Sequence, residues 1–469
     1  MNLAQQLAQR IVAVHADNIP AEAMQLARVA VMDTLGVTFA GCKDEAPAKL
    51  AEVIDAADVP GHALVFGTAT RTRPLDAALL NGVASHVLDF DDTATNFGGH
   101  ISAVMVPALI AAAESVDLVS ASGRDLLVAY VAGYEAGTKI GRAVNPLHSE
   151  KGWHPTSTLG IFAVAAACSR LLGLDAEQTA TALAISTSLA AGNKSNFGTM
   201  TKSLHVGQCA RGGLMAALLA RKGFTGNREA FTHKQGFFNL FNGAGNFHAE
   251  RIIDTWNAPL DILDPGTSFK LYPCCYSTHA PVEAALNLVR EHGRFEAANI
   301  ERIESWTAAA RLAHTDRADP RTGLEAKFSV QYCVARALID GKVSLKHFEN
   351  EAWREPVMRD VLPRVRATPH FDGQFPPDWR FAAEVKVTLK NGKSVSARVE
   401  KPLGRTAKNP IPPAQLRAKF EDCAAHVLAP HQVAAVARAL DNFESITSIR
   451  EFTRLLEVQT APGSQRKSA

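Results

Sequence analysis

Two long blocks, Asp175 to Ala191 and Ser203 to Lys222, consist mostly of Ala, Gly, Leu and other small or apolar residues at helical spacing. A helix with that surface has no face that profits from water, so it must be covered on most sides, and small residues let neighbouring axes come close. The same pattern recurs in Ala77 to Leu88, and Leu3, Leu7, Ile11 and Val12 share one face of a first helix. Pro20 precedes an apolar stripe of Met24, Ala27, Val31, Leu35 and Phe39 that runs to Gly41. Ser122-Gly123-Arg124-Asp125 caps a segment reaching about Ala143, and Pro155 opens another that ends at Gly173. The fold class predicted is mainly α, with residues 1–267 as the first part of a large all-helical domain.

The pattern changes around Pro265-Gly266. Glu301 to Ala310 alternates as a strand does, Ala280 to Arg290 is helical, and a helix is predicted over Glu325 to Asp340, stopping at Gly341. Val385 to Leu389 and Val395 to Val399 alternate on either side of Asn391-Gly392, a hairpin signature. Residues 268–402 are therefore expected to form a smaller α+β domain. Helical patterns return in 403–458 and are expected to rejoin the helical domain, which makes the small domain an insertion. Residues 459–469 read as a disordered tail.

Among 469 residues the net charge is +2, which creates no field for a nucleic acid or an anionic membrane. Apolar runs such as Gly160 to Ala167 are too short to cross a bilayer, and the amino terminus has no secretory pattern. A cytoplasmic protein is expected. The seven cysteines are scattered without a C-x-x-C pair, which indicates neither a disulfide framework nor a structural zinc.

Five polar stretches stand out in these apolar surroundings. Asp89-Phe-Asp-Asp-Thr93 packs three carboxylates and a hydroxyl after a buried helix, and Gly98-Gly99 would let the chain turn His100 back toward them. Carboxylates so placed are costly to desolvate unless acid/base work or a cation needs them. If the helix continued, Asp89 and Thr93 would share a face, with Asp91 and Asp92 pointing elsewhere. His154 stands just before the helix start at Pro155. Lys202 leads into the apolar block from a polar island, Asn196 to His205. Tyr272-Pro-Cys-Cys275 with His279 lies where the two domains should join, and Tyr332 falls on a helix of the smaller one. The aspartates invite comparison with magnesium-dependent helical synthases, but a second metal-binding motif at helical spacing is absent. No H-E-x-x-H, G-x-S-x-G, Walker A or dinucleotide fingerprint occurs.

At these places the sequence resembles the MmgE/PrpD family. The matching text is Leu88-Asp-Phe-Asp-Asp-Thr93, Gly152-Trp-His-Pro-Thr156, Gly198-Thr-Met-Thr-Lys202, Leu204-His-Val-Gly207, Tyr272-Pro-Cys-Cys275 with His279, and Phe328-Ser-Val-Gln-Tyr332. The resemblance implies a large helical domain with an inserted α+β lid, a homodimer, and a site between the domains that needs no metal or cofactor. It implies seven site residues: Asp89, Thr93, His100, His154, Lys202, His279 and Tyr332. One departure is the loop before His100, where the family has His-Pro-Ser in a slightly shorter loop and this chain has Gly98-Gly-His-Ile-Ser102.

Reactions in the family include 2-methylcitrate dehydration, cis-aconitate decarboxylation and iminodisuccinate epimerisation. Each develops negative charge on a carbon beside a carboxylate, so the site must supply a base together with cationic or hydrogen-bonding groups. Lys202 and the histidines suit such a polycarboxylate, with Asp89 orienting a histidine and Thr93 and Tyr332 hydrogen-bonding the substrate or delivering a proton. The expected activity is a lyase reaction, dehydration ahead of decarboxylation, with epimerisation as the alternative. A non-catalytic helical binding protein is the reading from another class.

Overall fold

The computed structural model describes residues 1–115, 121–256, 259–371, 373–376 and 379–458. The expected tail at 459–469 lies outside the described residues. The chain divides into two compact units, one made of Met1–Phe269 and the stretch from Pro412 onward, the other of Lys270–Ile411.

The larger unit is helical. Ile101–Ala113 is buried over its whole length, and Gly123–Val144 and Gly160–Leu171 pack on it and on each other. Helix starts follow the chemistry of the cap. Ser122 with Asp125 and Asp175 with Gln178 form reciprocal capping boxes that satisfy backbone N–H groups otherwise left open. Pro413–Ala424 packs on Ala21–Gly41, where Gly36 leaves room for Phe420.

One crossing sets the position of the polar stretches in this unit. Pro74–His86 and Thr201–Arg221 meet through Gly82 and Gly207. A Cβ on Gly207 would lie 2.4 Å from the Leu79 carbonyl oxygen, and one on Gly82 would lie 2.8 Å from the Gly207 Cα. Only hydrogen fits between the two backbones. This contact brings the first turn of one helix beside the last turn of the other.

The smaller unit carries a four-stranded sheet. Val365–Pro369 is at the edge, parallel to Ile300–Thr307, followed by Ala383–Leu389 and Ser394–Val399, both antiparallel to their neighbours. Ala383, Val385 and Val387 are buried in alternation, as a strand covered on one face requires. The last two strands are joined through Asn391-Gly392, with Gly392 at φ +84°. His279–His292 and Val330–Asp340 pack together, and the first also lies against the last two strands. The helix predicted over Glu325 to Asp340 is in fact two, Gly323–Lys327 and Val330–Asp340. Ser329 interrupts it by adopting extended backbone and accepting the Tyr332 N–H on its hydroxyl at 3.1 Å, the conformation of a helix cap.

Among the described residues no helix is long and apolar enough to cross a membrane.

Candidate active site

The helix Pro74–His86 ends before the acidic run begins, so Asp89 and Thr93 do not share a helical face. Asp89 takes φ +54°, a left-handed conformation that Asp tolerates better than most residues and that turns the chain sharply. The three carboxylates then diverge. Asp89 Oδ1 meets Lys202 Nζ at 2.6 Å. Asp91 Oδ2 lies 2.8 Å from His86 Nδ1 and 2.9 Å from His100 Nδ1. Asp92 pairs with the Ser102 hydroxyl, which in turn lies 2.6 Å from Tyr130 Oη.

Lys202 is the second residue of Thr201–Arg221, where a positive charge opposes the helix dipole. Asp89 offsets that charge, and the Gly82–Gly207 contact makes the meeting possible. Phe197 lies under the ammonium, 5.4 Å from Nζ to ring centre, and its ring also meets the His154 ring edge-on at 4.8 Å. His154 precedes the turn Pro155–Thr158, and its Nδ1 is 3.2 Å from His205 Nδ1. Two ring nitrogens at that distance share one hydrogen, so at least one of them is an unprotonated acceptor. Burial, together with the charges of His86, Lys202, His100 and His205, drives the His154 pKa well below the ordinary histidine value. His205 is lowered by burial and by Lys202.

The two adjacent buried aspartates behave oppositely. Burial would raise Asp91, but His100 and His86 outweigh it and hold this carboxyl well below the usual range. Asp92 has no cation close enough to do the same, and burial pushes it to about 8. His86 is taken down to about 4, chiefly by burial. At neutral pH Asp91 is therefore an anion beside a neutral His86, while Asp92 holds its proton.

His100 follows Gly99, and its backbone N–H donates to Thr156 Oγ1 at 3.1 Å. A Cβ on Gly99 would come within 2.6 Å of that same oxygen, so glycine is required for the loop to lie against Thr156. The ring does turn back toward the carboxylates, but its Nδ1 meets Asp91, with Nε2 4.0 Å from Asp89 Oδ1. Asp89 Oδ1 is nearest to Lys202, and the carboxylate nearest to the His100 ring is that of Asp91.

Thr93 stands apart, in a two-residue strand with Ala94 that pairs with Thr267–Ser268. His86, Asp89 and His100 each offer a ligand atom within 4.8 Å of the others. The Lys202 ammonium on Asp89 and the two Nδ1 atoms on Asp91 make this an ion-pair network. A magnesium site needs several oxygens aimed at one point, which the diverging aspartates do not provide.

The smaller unit holds the other two predicted residues. His279 opens its helix fully buried, its ring stacked on Tyr276 at 4.6 Å with 13° between planes, and neither ring nitrogen has a hydrogen-bond partner among the described residues. Tyr332 donates its hydroxyl proton to the His347 carbonyl oxygen and accepts from Arg336 Nε at 2.9 Å. Arg336 also binds Glu355 and Asp340, so that hydroxyl belongs to a buried arginine network. Cys274 and Cys275 form no disulfide among the described residues.

Three contributors escaped sequence reasoning: His86, Asp91 and His205. His86 was hidden inside an apolar helical run, and His205 inside a motif noticed for its lysine. Only the fold brings them to the others.

Residues 5–250 match the MmgE/PrpD N-terminal domain and residues 272–444 the MmgE/PrpD C-terminal domain. The chain is 31% identical to the cis-aconitate decarboxylase of Mus musculus over 439 residues, covering 91% of this chain and 88% of that protein. It is 30% identical to the Homo sapiens cis-aconitate decarboxylase over 453 residues, or 94% and 91% of the two chains. The 2-methylcitrate dehydratase of Cupriavidus necator is 25% identical over 450 residues, 89% of each. Both parts of the chain and the motifs along it lead to one conclusion: the protein belongs to the MmgE/PrpD family.

Proposed function

We propose that the protein is a lyase acting on a small tricarboxylate with its own side chains, and that decarboxylation of a cis-aconitate-like substrate is its reaction. The single observation that carries this reading is the charge balance of the helical unit. Lys202 and four imidazoles gather around two carboxylates, Asp89 and Asp91, in a largely buried cluster. An anionic substrate gains most where cationic and hydrogen-bonding groups outnumber anions and water is scarce.

Losing CO₂ from a carboxylate leaves its electron pair on carbon, delocalised onto the neighbouring unsaturated acid, and a proton must then reach that carbon. Lys202, paired with Asp89, is suited to hold a substrate carboxylate, and His100 or His154 to deliver or accept the proton. The motifs also assign Thr93, from its strand, and His279 and Tyr332 of the smaller unit. What supports His279 is that both of its ring nitrogens are unengaged. Tyr332 is weighted less, because its hydroxyl is already committed.

Decarboxylation takes precedence over the dehydration favoured from the motifs alone, because the relatives at 30% and 31% identity are decarboxylases while the dehydratase stands at 25%. Dehydration of a 2-methylcitrate-like substrate is the second reading on that last likeness. Incubation with cis-aconitate, 2-methylcitrate and iminodisuccinate in deuterated water, with a chelator present, separates these cases. CO₂ release from cis-aconitate is expected. Loss of water from 2-methylcitrate favours the second reading, and deuterium exchange alone favours epimerisation. No turnover or exchange on any of the three overturns the lyase reading.

The same reading takes the protein as a cytoplasmic homodimer, in keeping with cysteines that form no disulfide among the described residues and with the family resemblance. Sedimentation velocity at micromolar concentration tests the dimer.

A further inference from the structure

One lysine of the helical unit occupies a core position. The buried residues of Pro413–Ala424 are Leu416, Lys419, Phe420, Cys423 and Ala424, a stripe at helical spacing in a helix that packs on Ala21–Gly41. Apolar side chains fill such a stripe as a rule, and a lysine there gives up its hydration. On the facing helix, a Cβ at Gly36 would lie 3.2 Å from the Phe420 Cα, and three residues earlier Asp33 Oδ1 lies 2.7 Å from Lys419 Nζ. The two side chains keep only 4% and 1% exposure. Packing alone calls for neither, since apolar residues of similar volume hold two helices together as well as a buried ion pair does or better.

The Lys419 ammonium also reaches the acidic loop of the site. Nζ donates to the Phe90 carbonyl oxygen at 2.9 Å and lies 3.9 Å from the centre of the Phe90 ring. That carbonyl belongs to the peptide joining Phe90 to Asp91. A peptide is planar, so fixing its oxygen restrains six atoms, from the Phe90 Cα to the Asp91 Cα. On one side of this peptide Asp91 Oδ2 meets His86 Nδ1 at 2.8 Å, and on the other Asp89, at φ +54°, meets Lys202 at 2.6 Å. A left-handed aspartate persists only where its surroundings hold it.

We propose that Lys419 is a positioning residue, which holds the Phe90–Asp91 peptide so that Asp89 faces Lys202 and Asp91 faces His86. An ion pair that served stability alone would end at Asp33. This one turns a hydrogen onto the single peptide between two carboxylates of the site and lies against the side chain of the residue that carries it. Asp33 anchors the ammonium to the helix Ala21–Gly41, and Phe420 against Gly36 sets the depth at which the lysine enters. The stretch from Pro412 onward, where the chain rejoins the helical unit, thereby contributes to the site across 329 residues of sequence.

Only the kinetic arm of the test rests on the lyase reading. Lys419→Met removes the donor, and Asp33→Asn/Lys419→Met removes both members of the pair, so that a fold unable to bury Asp33 alone is not what is measured. Lys139→Met is the comparison, a fully buried lysine of the same unit whose ammonium meets Asp261 and Glu135. In the first arm, hydrogen exchange of the full chain is followed by mass spectrometry at neutral pH. Amides between His86 and Ala94 should exchange about tenfold faster or more in the double variant and at the wild-type rate in Lys139→Met. An unchanged rate in that stretch overturns the proposal whatever the substrate. In the second arm, kcat/KM on cis-aconitate should fall about ten- to a hundredfold in the double variant, since a displacement of about 1 Å suffices for that. Lys139→Met should lose less than about threefold, and Lys419→Arg, which keeps a donor and a charge, should restore most of the activity. Equal loss in the double variant and Lys139→Met, or loss in neither, contradicts a positioning role. If the wild type turns over none of the candidate substrates, the lyase reading falls while the exchange measurement still decides this one.

Discussion

The two units each gather histidine, tyrosine and charged groups, but they use them differently. In the helical unit the polar groups face one another as ions and as half-satisfied rings: Asp89 with Lys202, Asp91 with His86 and His100, and His154 with His205. In the smaller unit His279 sits between tyrosine rings, and Tyr332 is engaged by Arg336 and the His347 carbonyl. The first cluster is poised to exchange protons and bind an anion. Tyr332, by contrast, is built as structure, while the ring nitrogens of His279 are without hydrogen-bond partners among the described residues. The difference teaches that a motif match alone does not weight its members equally.

The largest effect is expected at Lys202. Lys202→Ala removes an ammonium aimed at developing charge and takes the lysine partner from Asp89, so kcat/KM on the preferred tricarboxylate should fall by about a hundred- to a thousandfold. Steady-state assay with circular dichroism of the same sample checks that the helices persist. A loss below tenfold would erase the contrast between the two clusters.

Next comes the backbone contact that places Lys202. Gly207→Ala puts a methyl group 2.4 Å from the Leu79 carbonyl oxygen, so the two helices must part. The expected cost is about 1–3 kcal/mol of stability, read from the urea midpoint, together with a fall in kcat smaller than that of Lys202→Ala. Unchanged activity would show that the Asp89–Lys202 pair tolerates a wider crossing.

Tyr332→Phe sharpens the comparison from the other side. It deprives the His347 carbonyl of a donor and Arg336 of an acceptor, which should cost about 1–3 kcal/mol, while kcat falls less than about fivefold on a lyase assay. A loss equal to that of Lys202→Ala would make the hydroxyl catalytic despite its present partners.

The smallest effect on turnover is expected at Asp92, where the readout is a pH slope in stability. The Asp92 pKa is raised to about 8, so the folded chain keeps a proton that the unfolded chain has released, and stability falls as pH climbs from about 4 to about 8. His86, lowered to about 4, acts in the reverse sense, adding stability as pH rises from about 4 toward its ordinary value. Asp92→Asn removes only the first contribution. Its stability relative to wild type should therefore improve from pH 5 to pH 8, by no more than about 1.4 kcal/mol per unit, as measured by urea unfolding at both pH values. A constant difference would mean Asp92 is already ionised in the folded protein.

Much of this molecule is legible in the sequence because its signals are local. Caps such as Ser122 and Asp175, the small-residue helical blocks and the Asn391-Gly392 hairpin depend on neighbours in the chain. Where expectation and structure part, the deciding force came from elsewhere. The helix before Asp89 stops at His86 and turns through a positive φ, which separates Asp89 from Thr93. Ser329 splits a helix that periodicity alone would continue. The pairing of Asp89 with Lys202 spans 113 residues and depends on two glycines in different helices, so no local pattern announces it. His86, Asp91 and His205 likewise acquire their roles only from packing.

The most direct test of the central claim is to follow cis-aconitate by ¹H and ¹³C NMR in deuterated buffer with the full-length protein and with Lys202→Ala. The account predicts one CO₂ released per substrate consumed, one deuterium on carbon in the dicarboxylate product, and near-complete loss of both signals in the variant. Unchanged cis-aconitate with the wild-type protein, or equal turnover by the variant, would contradict it.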